Sequence, residues 1–442
     1  MAGERPGLHG SGSPPLFFTR IGVAGLLLLL LLAALMVQAR DPDRVRDFPS
    51  YYLAGRAVAD GRNPYDWNVL LAISRESGLK VPVSPYLYPP PFALAVVPLS
   101  VLPYDAARIA WAVLSAAAAL GALILSGRLA ERWAAGMDPD AKALAIGLAI
   151  AALGLAYPIF VDLKNGQANH FAVLLTLAAL IFSRCPAAAG ASLAAAAQVK
   201  IVPALFLLWF GLSRRFSVLA AFLVAGGILA AAPWLAGVGN AWLEFGHLAA
   251  SSHLGEGMTG NSPPELAYNL GIVGNVTRIL GRGSPLIPLL SASVLGLLTV
   301  LLLLRWRLLT TEGRVLGLSV LMTLVTPFTW IHSLVLLLPG LVPASCSAAA
   351  AVLARRSLRR AGLFLLLALA CGLPYVNISR HLSGISAEVV SRANLAIVLA
   401  IFGLTLFSPP WNLRSRSTSP GPALPPLGQG SCGQNCPPRL HL

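Results

Sequence analysis

Apolar runs recur along this chain from Ile21 to Phe407, separated by short polar or basic segments. The first, residues 21–38, carries no charge and is about 18 residues long, near the minimum for crossing a bilayer core of about 30 Å. It reads as a retained first helix rather than a cleaved leader, because it is long for a signal core and its leader is not strongly basic. Further spans are expected over 107–130, 141–161, 171–183, 216–235, 285–304, 315–328, 332–353, 361–374 and 393–407. Between 187 and 212 the segment QVKIVP divides the run into two half-helices meeting near Lys200. The stretch 86–103, YLYPPPFALAVVPLSVLP, is interrupted by prolines and too short to span, so it is expected to be interfacial or re-entrant. The pattern predicts an all-α polytopic membrane protein.

Within this apolar chain, RDFPSYYLAGRAVADGRNPYDW (46–67) is conspicuously polar. It belongs to a first loop, 41–91, that is expected to carry short amphipathic helices. One is apolar at Ala57 and Val58 and ends at a turn set by Gly61 and Asn63-Pro64. Residues 1–20 precede the transmembrane region, 21–408. The tail, 409–442, is rich in Pro, Gly and Ser and is expected to be disordered.

Charge decides the orientation. The chain is 56% hydrophobic and 11% charged with a net charge of +15. Its basic residues form short clusters between apolar runs, with no stacking aromatics interleaved, which argues against nucleic acid and for membrane lipid as the partner. With a cytoplasmic N-terminus and about twelve crossings, the clusters at Arg128 and Arg132, Arg184, Arg214 and Arg215, Arg305 to Arg314, Arg355 to Arg360 and Arg414 all fall inside, the C-terminus with them. The unusual polar groups then face outward: the first loop, DLKNGQANH (162–170), Lys200, the loop 237–284, TPFTWIH (326–332) and NISRH (377–381). Five cysteines, Cys185, Cys346, Cys371, Cys432 and Cys436, suggest neither a disulfide framework nor a metal site.

Ionisable groups at membrane depth are costly and mark places where a cavity needs them. Asp47, partly dried by FPSYY, suits a general base, although an aspartate paired with Arg44, Arg46 or Arg56 at the rim is an equally simple reading. Tyr51, Tyr52, Tyr65, Arg56 and Asn63 are candidates to line a sugar or acceptor, with an interfacial aromatic belt as the alternative for the tyrosines. Asn165, Gln167 and Asn169 alternate around a glycine at a helix mouth, where amides bind hydroxyls or anions; capping explains one of them better than three. Lys200 and Arg278 are candidate counter-charges for a phosphate, with snorkelling and interfacial anchoring as alternatives. His332, after Trp330, is either a proton-transfer group or a structural histidine.

The blocks DFPSYYLAGRAVADGRNPYD, YLYPPPFALAVVPLSVLP, NGQANHFAVLLTLAAL, KIVPALFLLWF, AYNLGIVGNVTR and TPFTWIHSLVLLLP, in this order, resemble the polyprenyl-phosphate-mannose-dependent α-1,2-mannosyltransferase family of bacterial membrane glycosyltransferases, glycosyltransferase family eighty-seven. The resemblance implies a GT-C-type bundle of about 11–12 transmembrane helices in the bacterial plasma membrane, with its active site facing outward. It implies transfer of a sugar, mannose first among the candidates, from a polyprenyl-phosphate donor to a lipid-linked or glycan acceptor. It also implies Asp47 as the catalytic base of a single inverting displacement. Lys200, Arg278 and the amides would support the departing phosphate, so no cofactor or divalent metal is expected. Asn269 enters through AYNLG, where the family pattern has NQS before the glycine, and only His332 stands where a histidine pair often follows the tryptophan. A transporter or lipid flippase is the competing class, since a broken helix and many spans also suit alternating access. The long polar first loop argues for the enzyme.

Overall fold

The computed structural model describes residues 45–79, 81–133, 139–154, 156–256, 263–266, 269–353, 358–373 and 387–407. The expected first span lies almost wholly outside them, as do residues 1–20, the tail and the NISRH segment. Every regular element among the described residues is helical, in agreement with the all-α expectation.

Proline places several helix starts, since its missing N–H is harmless in a first turn and its fixed φ suits the helix. The first loop folds into α1 (Phe48–Ala59), with Pro49 in its first turn, and α2 (Trp67–Glu76). The Asp66 carboxylate caps α2 by accepting from the N–H groups of Asn68 at 2.8 Å and Val69 at 3.4 Å. The proline-rich stretch then forms α3 (Pro90–Ser100). Sequence reasoning took its prolines to deny a continuous helix, but Pro90 and Pro91 sit in the first turn and only Pro98 lies inside. Burial of Phe92, Ala93 and Val96 against α1 offsets the one hydrogen bond that Pro98 forgoes.

Two long apolar runs behave differently. The stretch 107–130 forms one helix, α4 (Tyr104–Trp133). The single span expected over 141–161 is instead two helices, α5 (Pro139–Gly154) and α6 (Tyr157–Asn165). The break falls at Ala156, whose backbone is extended at ψ 136°, and Pro158 sits in the first turn of α6, where its missing N–H costs nothing. α7 (Asn169–Ile181) and α8 (Pro186–Val199) follow, and α8 stops at Lys200, whose backbone is extended at φ −153° and ψ 130°. A 3₁₀ turn, Val202–Leu205, leads into α9 (Phe206–Leu212), so the predicted break at Lys200 is present. α10 (Phe216–Leu235), α11 (Ala241–His253), α12 (Ile272–Leu280), α13 (Leu286–Arg305), α14 (Thr311–Leu324), a 3₁₀ segment Ile331–Leu337, α15 (Leu338–Leu353), α16 (Leu358–Cys371) and α17 (Ala387–Phe407) complete the order.

Burial sorts these helices by environment. Among the described residues, four helical segments are long and apolar enough to cross a membrane: Tyr104–Trp133, Phe216–Leu235, Leu286–Leu308 and Ile331–Leu353. The last is 89% buried within the protein, whereas Phe216–Leu235 is 11% buried and leaves Leu223, Ile228 and Leu235 open. Such an apolar exterior is untenable in water and natural in lipid. The main core gathers around α14 and α15 with Leu316, Val320, Leu336 and Val342. Small residues let helices approach there: a Cβ on Gly190 of α8 would stand 2.6 Å from the backbone nitrogen of Phe222 in α10. A second core is separate and aromatic. Phe48, Tyr51, Tyr52, Tyr86, Phe92 and Trp111 tie the first-loop helices to the N-terminal part of α4.

Candidate active site

Asp47 sits at the N-cap of α1, yet its carboxylate makes no capping hydrogen bond to that helix. The backbone does the tethering. The Asp47 N–H donates to the carbonyl of Asn165 at 3.0 Å, and its own carbonyl accepts from the Ser50 N–H at 3.1 Å and the Ser50 hydroxyl at 2.9 Å. The turn after α6 therefore fixes Asp47 while leaving its side chain to face elsewhere. That turn requires Gly166, which lies at φ +71° and whose added Cβ would approach the Phe48 Cβ to 2.9 Å. The Trp111 indole N–H donates to the Gly166 carbonyl at 2.8 Å, and its ring stacks on Phe48 with centroids 5.5 Å apart.

The Gln167 amide polarises the site. Its oxygen accepts from the Tyr88 hydroxyl at 2.8 Å and the Tyr51 hydroxyl at 3.4 Å, and these hydroxyls are 2.7 Å apart. With the oxygen engaged, the amide N–H₂ is directed at Asp47, with which Gln167 hydrogen-bonds. Burial is the largest influence on the Asp47 carboxyl and raises its pKa. Gln167 opposes that rise, Asp162 adds to it, and Arg46 and Lys200 oppose it, leaving the group at about 7. The Tyr51 and Tyr88 phenols are pushed well above their ordinary range by burial and neighbouring negative charge, so they remain neutral donors.

A third cluster lies behind this one. Lys200 Nζ donates to Asn169 Oδ1 at 2.9 Å, and Asn169 Nδ2 donates to Asp162 Oδ1 at 2.7 Å. His170 Nδ1 stands 2.5 Å from the other oxygen of Asp162. Asp162, Asn169 and His170 are fully buried. Asp47, Tyr88, Gln167, Lys200 and His332 line the polar end of a cavity of about 990 Å³. Beyond Lys200 the lining is largely apolar, with Leu205, Leu208 and Leu212 beside Leu219, Phe222 and Leu223, and with Phe245 and Leu248 contributed by α11. No group of three or more metal-ligating side chains gathers among the described residues.

The structure thus brings Asp47, Gln167, Lys200 and His332 together. Tyr51 reaches the same network through Tyr88, and Asn169 through Lys200. Asn165 contributes its backbone carbonyl to Asp47. Other candidates are engaged elsewhere. The Tyr52 hydroxyl donates to the Leu102 carbonyl at 2.9 Å, Arg56 Nη1 approaches the Ser100 carbonyl at 3.5 Å, and Asn63 Oδ1 accepts from the Tyr65 N–H at 3.0 Å in a side-chain turn. The Tyr65 hydroxyl donates to the Tyr88 carbonyl, which fixes the segment before α3. Asn269 and Arg278 do not border the cavity. The Asn269 amide spans four backbone groups, and Arg278 donates to the carbonyls of Glu265, Leu266 and Asn269. Tyr88, Asp162 and His170 have no individual role in the sequence reading, although DLKNGQANH stands out there as a polar segment. Asp162 had a readable signal, a carboxylate within an otherwise apolar helical stretch.

The model of Glycosyltransferase family 87 matches residues 86–333, more than half of the chain, in a stretch that holds Gln167, Asn169, Lys200 and His332 and begins after Asp47. A polyprenol-phosphate-mannose-dependent alpha-(1-2)-phosphatidylinositol pentamannoside mannosyltransferase of Mycolicibacterium smegmatis is 28% identical over 264 residues, 58% of this chain and 60% of that protein. The protein of the same description from Mycobacterium tuberculosis is 30% identical over 267 residues, 58% of each chain. The chain therefore spans less than two thirds of the length of these two relatives. A polyprenol-phosphate-mannose-dependent alpha-(1-2)-phosphatidylinositol mannoside mannosyltransferase of Mycolicibacterium smegmatis is 28% identical over 358 residues, 77% of this chain and 78% of that protein. No solved structure matches the chain. On the extent of the family match, the chain belongs to glycosyltransferase family 87.

Proposed function

We propose that this protein transfers mannose from a polyprenyl-phosphate-mannose to a hydroxyl of a lipid-linked or glycan acceptor on the outer face of the bacterial plasma membrane. The observation that carries the reading is the composition of the cavity: a carboxylate and an ammonium at one end, and an apolar lane along α9 and α10 at the other. A lipid phosphate sugar has the same polarity along its length. Its isoprenoid chain suits the leucine-lined wall, its phosphate suits Lys200, and the sugar between them comes within reach of Asp47 and His332. Phosphatidylinositol mannosides, the acceptors in the relatives' names, are the first acceptors to try.

In the proposed reaction Asp47 accepts the proton of the acceptor hydroxyl as that oxygen bonds to the anomeric carbon. The carbon–oxygen bond to phosphate breaks, and its electron pair leaves with the polyprenyl phosphate. A carboxyl held near 7 suits this role, because a substantial fraction is ionised near neutral pH and that form is basic enough to take a proton in the transition state. Lys200 stabilises the charge growing on the leaving phosphate in a partly desolvated site. One displacement inverts the anomeric centre, so a β-linked donor yields an α-linked product. His332 borders the same space and is the second candidate for proton transfer or for a hydrogen bond to a sugar hydroxyl.

The test uses the purified protein in lipid, radiolabelled polyprenyl-phosphate-mannose and a membrane extract as acceptor source. Wild type should transfer label, whereas Asp47→Asn should retain donor binding and transfer about 10³-fold more slowly. Absence of transfer by wild type from any polyprenyl-phosphate sugar, together with solute or lipid movement in vesicles, would replace the enzyme with a transporter.

A further inference from the structure

Asp162 is fully buried and does not border the cavity, so it cannot touch a substrate there. A carboxylate in that position is expensive unless something nearby uses its charge. Its partners identify the user. One oxygen accepts from Asn169 at 2.7 Å, and the same amide presents its oxygen to Lys200 at 2.9 Å. The amide is oriented by its two neighbours, with its donor toward the anion and its acceptor toward the cation. Asp47 shares the cavity with Lys200, whereas Asp162 reaches the same ammonium from behind through Asn169.

A directly paired aspartate would occupy the ammonium and compete with any anionic ligand. A side chain of amide length between the two charges has another effect: attraction still favours the charged lysine, while only one of its three N–H donors is consumed. The remaining donors are available to the cavity that Lys200 lines. His170 Nδ1 lies 2.5 Å from the second carboxylate oxygen, on the side of Asp162 facing the protein interior.

We propose that Asp162 is a positioning residue: a counter-charge held one amide away, which keeps Lys200 cationic and aimed at the cavity while leaving it able to bind the phosphate of a lipid donor. This rests on the reading of the cavity as the donor site. A purely structural Asp162, locking the turn between α6 and α7, predicts loss of folded protein without a change in ligand preference.

The experiment compares binding of a short-chain polyprenyl phosphate with the matching uncharged polyprenol, using the full chain in lipid nanodiscs. Wild type should prefer the phosphate. Asp162→Asn keeps the acceptor for Asn169 but removes the charge, and should weaken phosphate binding on the order of tenfold with polyprenol binding unchanged. Lys200→Met should lose the preference, and Asp162→Asn should cost nothing further in that background, because the two act as one unit. Should Asp162→Asn fail to fold, Asn169→Ser breaks the bridge with the charge retained, and its phosphate preference should also fall. A folded Asp162→Asn that keeps the wild-type preference overturns the proposal, as does an unchanged Asn169→Ser where that variant decides. A wild type with no preference for phosphate sinks the donor-site reading itself, and this inference with it.

Discussion

Two buried polar clusters on this protein look alike in composition and differ in what they leave unused. Around Asn269 the amide is saturated by the backbone: Nδ2 donates to the carbonyls of Pro264 at 2.9 Å and Pro327 at 2.8 Å, and Oδ1 accepts from the N–H groups of Gly271 and Thr329, both at 2.9 Å. Arg278 likewise spends its guanidinium on carbonyls of residues 265–269 and on Asn275. The Asn269 side chain ties Pro264 and Gly271 to Pro327 and Thr329, ahead of the 3₁₀ segment Ile331–Leu337, and neither the Asn269 nor the Arg278 side chain borders the cavity. Around Asp47 the accounting is open. The carboxylate does not cap its own helix, and among the described residues Lys200 has one hydrogen bond where an ammonium can make three. Burial of polar groups does not by itself mark chemistry; unused valence facing a cavity does.

The comparison breaks most visibly by substitution on either side. Asp47→Asn preserves shape and hydrogen-bonding capacity but removes the base, and transfer should fall by about 10³-fold, within the range general base catalysis supplies. Its donor affinity should stay within a few-fold of wild type by equilibrium binding. Loss of donor binding in step with transfer would assign Asp47 to the binding of substrate instead. On the saturated side, Asn269→Ala strands two N–H donors and two carbonyls, so it should cost about 3–5 kcal/mol of stability and greatly lower the yield of folded protein. What does fold should keep an unaltered pH profile. A stable Asn269→Ala with a changed sugar preference would move Asn269 into the site.

How much of this was legible in the sequence depends on whether a residue acts through its own side chain or through its neighbours. The apolar runs forecast an all-helical protein, and the break at Lys200 was readable because a lysine before Ile-Val-Pro interrupts a helical pattern. The division of 141–161 ahead of Pro158, at Ala156, was readable in principle, but periodicity alone does not separate a kinked span from two helices. In KNGQAN the alternating amides pointed to polar work, yet the three do different things. Asn165 offers a carbonyl, Gln167 orients Asp47, and Asn169 joins Lys200 to Asp162. Asn269 and Arg278 look as suitable for ligand binding in sequence as Gln167 and Lys200 do. Only tertiary structure reveals that backbone carbonyls claim them first.

A gentler probe reads the cost of an open site. Desolvation holds the Asp47 carboxyl near 7 in the folded protein against about 4 in an unfolded chain, so the native state binds this proton more tightly. The ionised carboxylate is therefore a burden on folding. Stability from this group is full below about pH 4, declines as pH rises through about 7, and levels off above that. Asp47→Asn escapes the decline. It should be more stable than wild type at pH 8, by up to a few kcal/mol, with the difference vanishing near pH 4. Thermal unfolding of both proteins across this range is the measurement, and a variant less stable than wild type at pH 8 would mean that the carboxylate is stabilised by contacts stronger than its desolvation.

The smallest effect isolates the amide that polarises the site. Gln167 hydrogen-bonds the Asp47 carboxylate and holds its pKa below the value burial alone would impose. If Asp47 is the base, kcat/KM rises with pH through about 7 as the carboxyl ionises, and no second limb from Tyr51 or Tyr88 intrudes at neutral pH because burial keeps those phenols neutral. Gln167→Met fills similar volume without the N–H donor. The rising limb should then move upward by about one pH unit, and the plateau should fall only a few-fold, because the base remains in place. Gln167→Glu should move the limb further in the same direction, since a second negative charge beside Asp47 opposes its ionisation more than loss of a donor does. The order of the two variants separates electrostatic tuning from simple disorder, which would lower the plateau and leave the limb where it is. Were the limb to stay at its wild-type position in both, the titrating group in transfer would not be Asp47, and the open valence at the cavity would have to be read as a binding site for substrate hydroxyls.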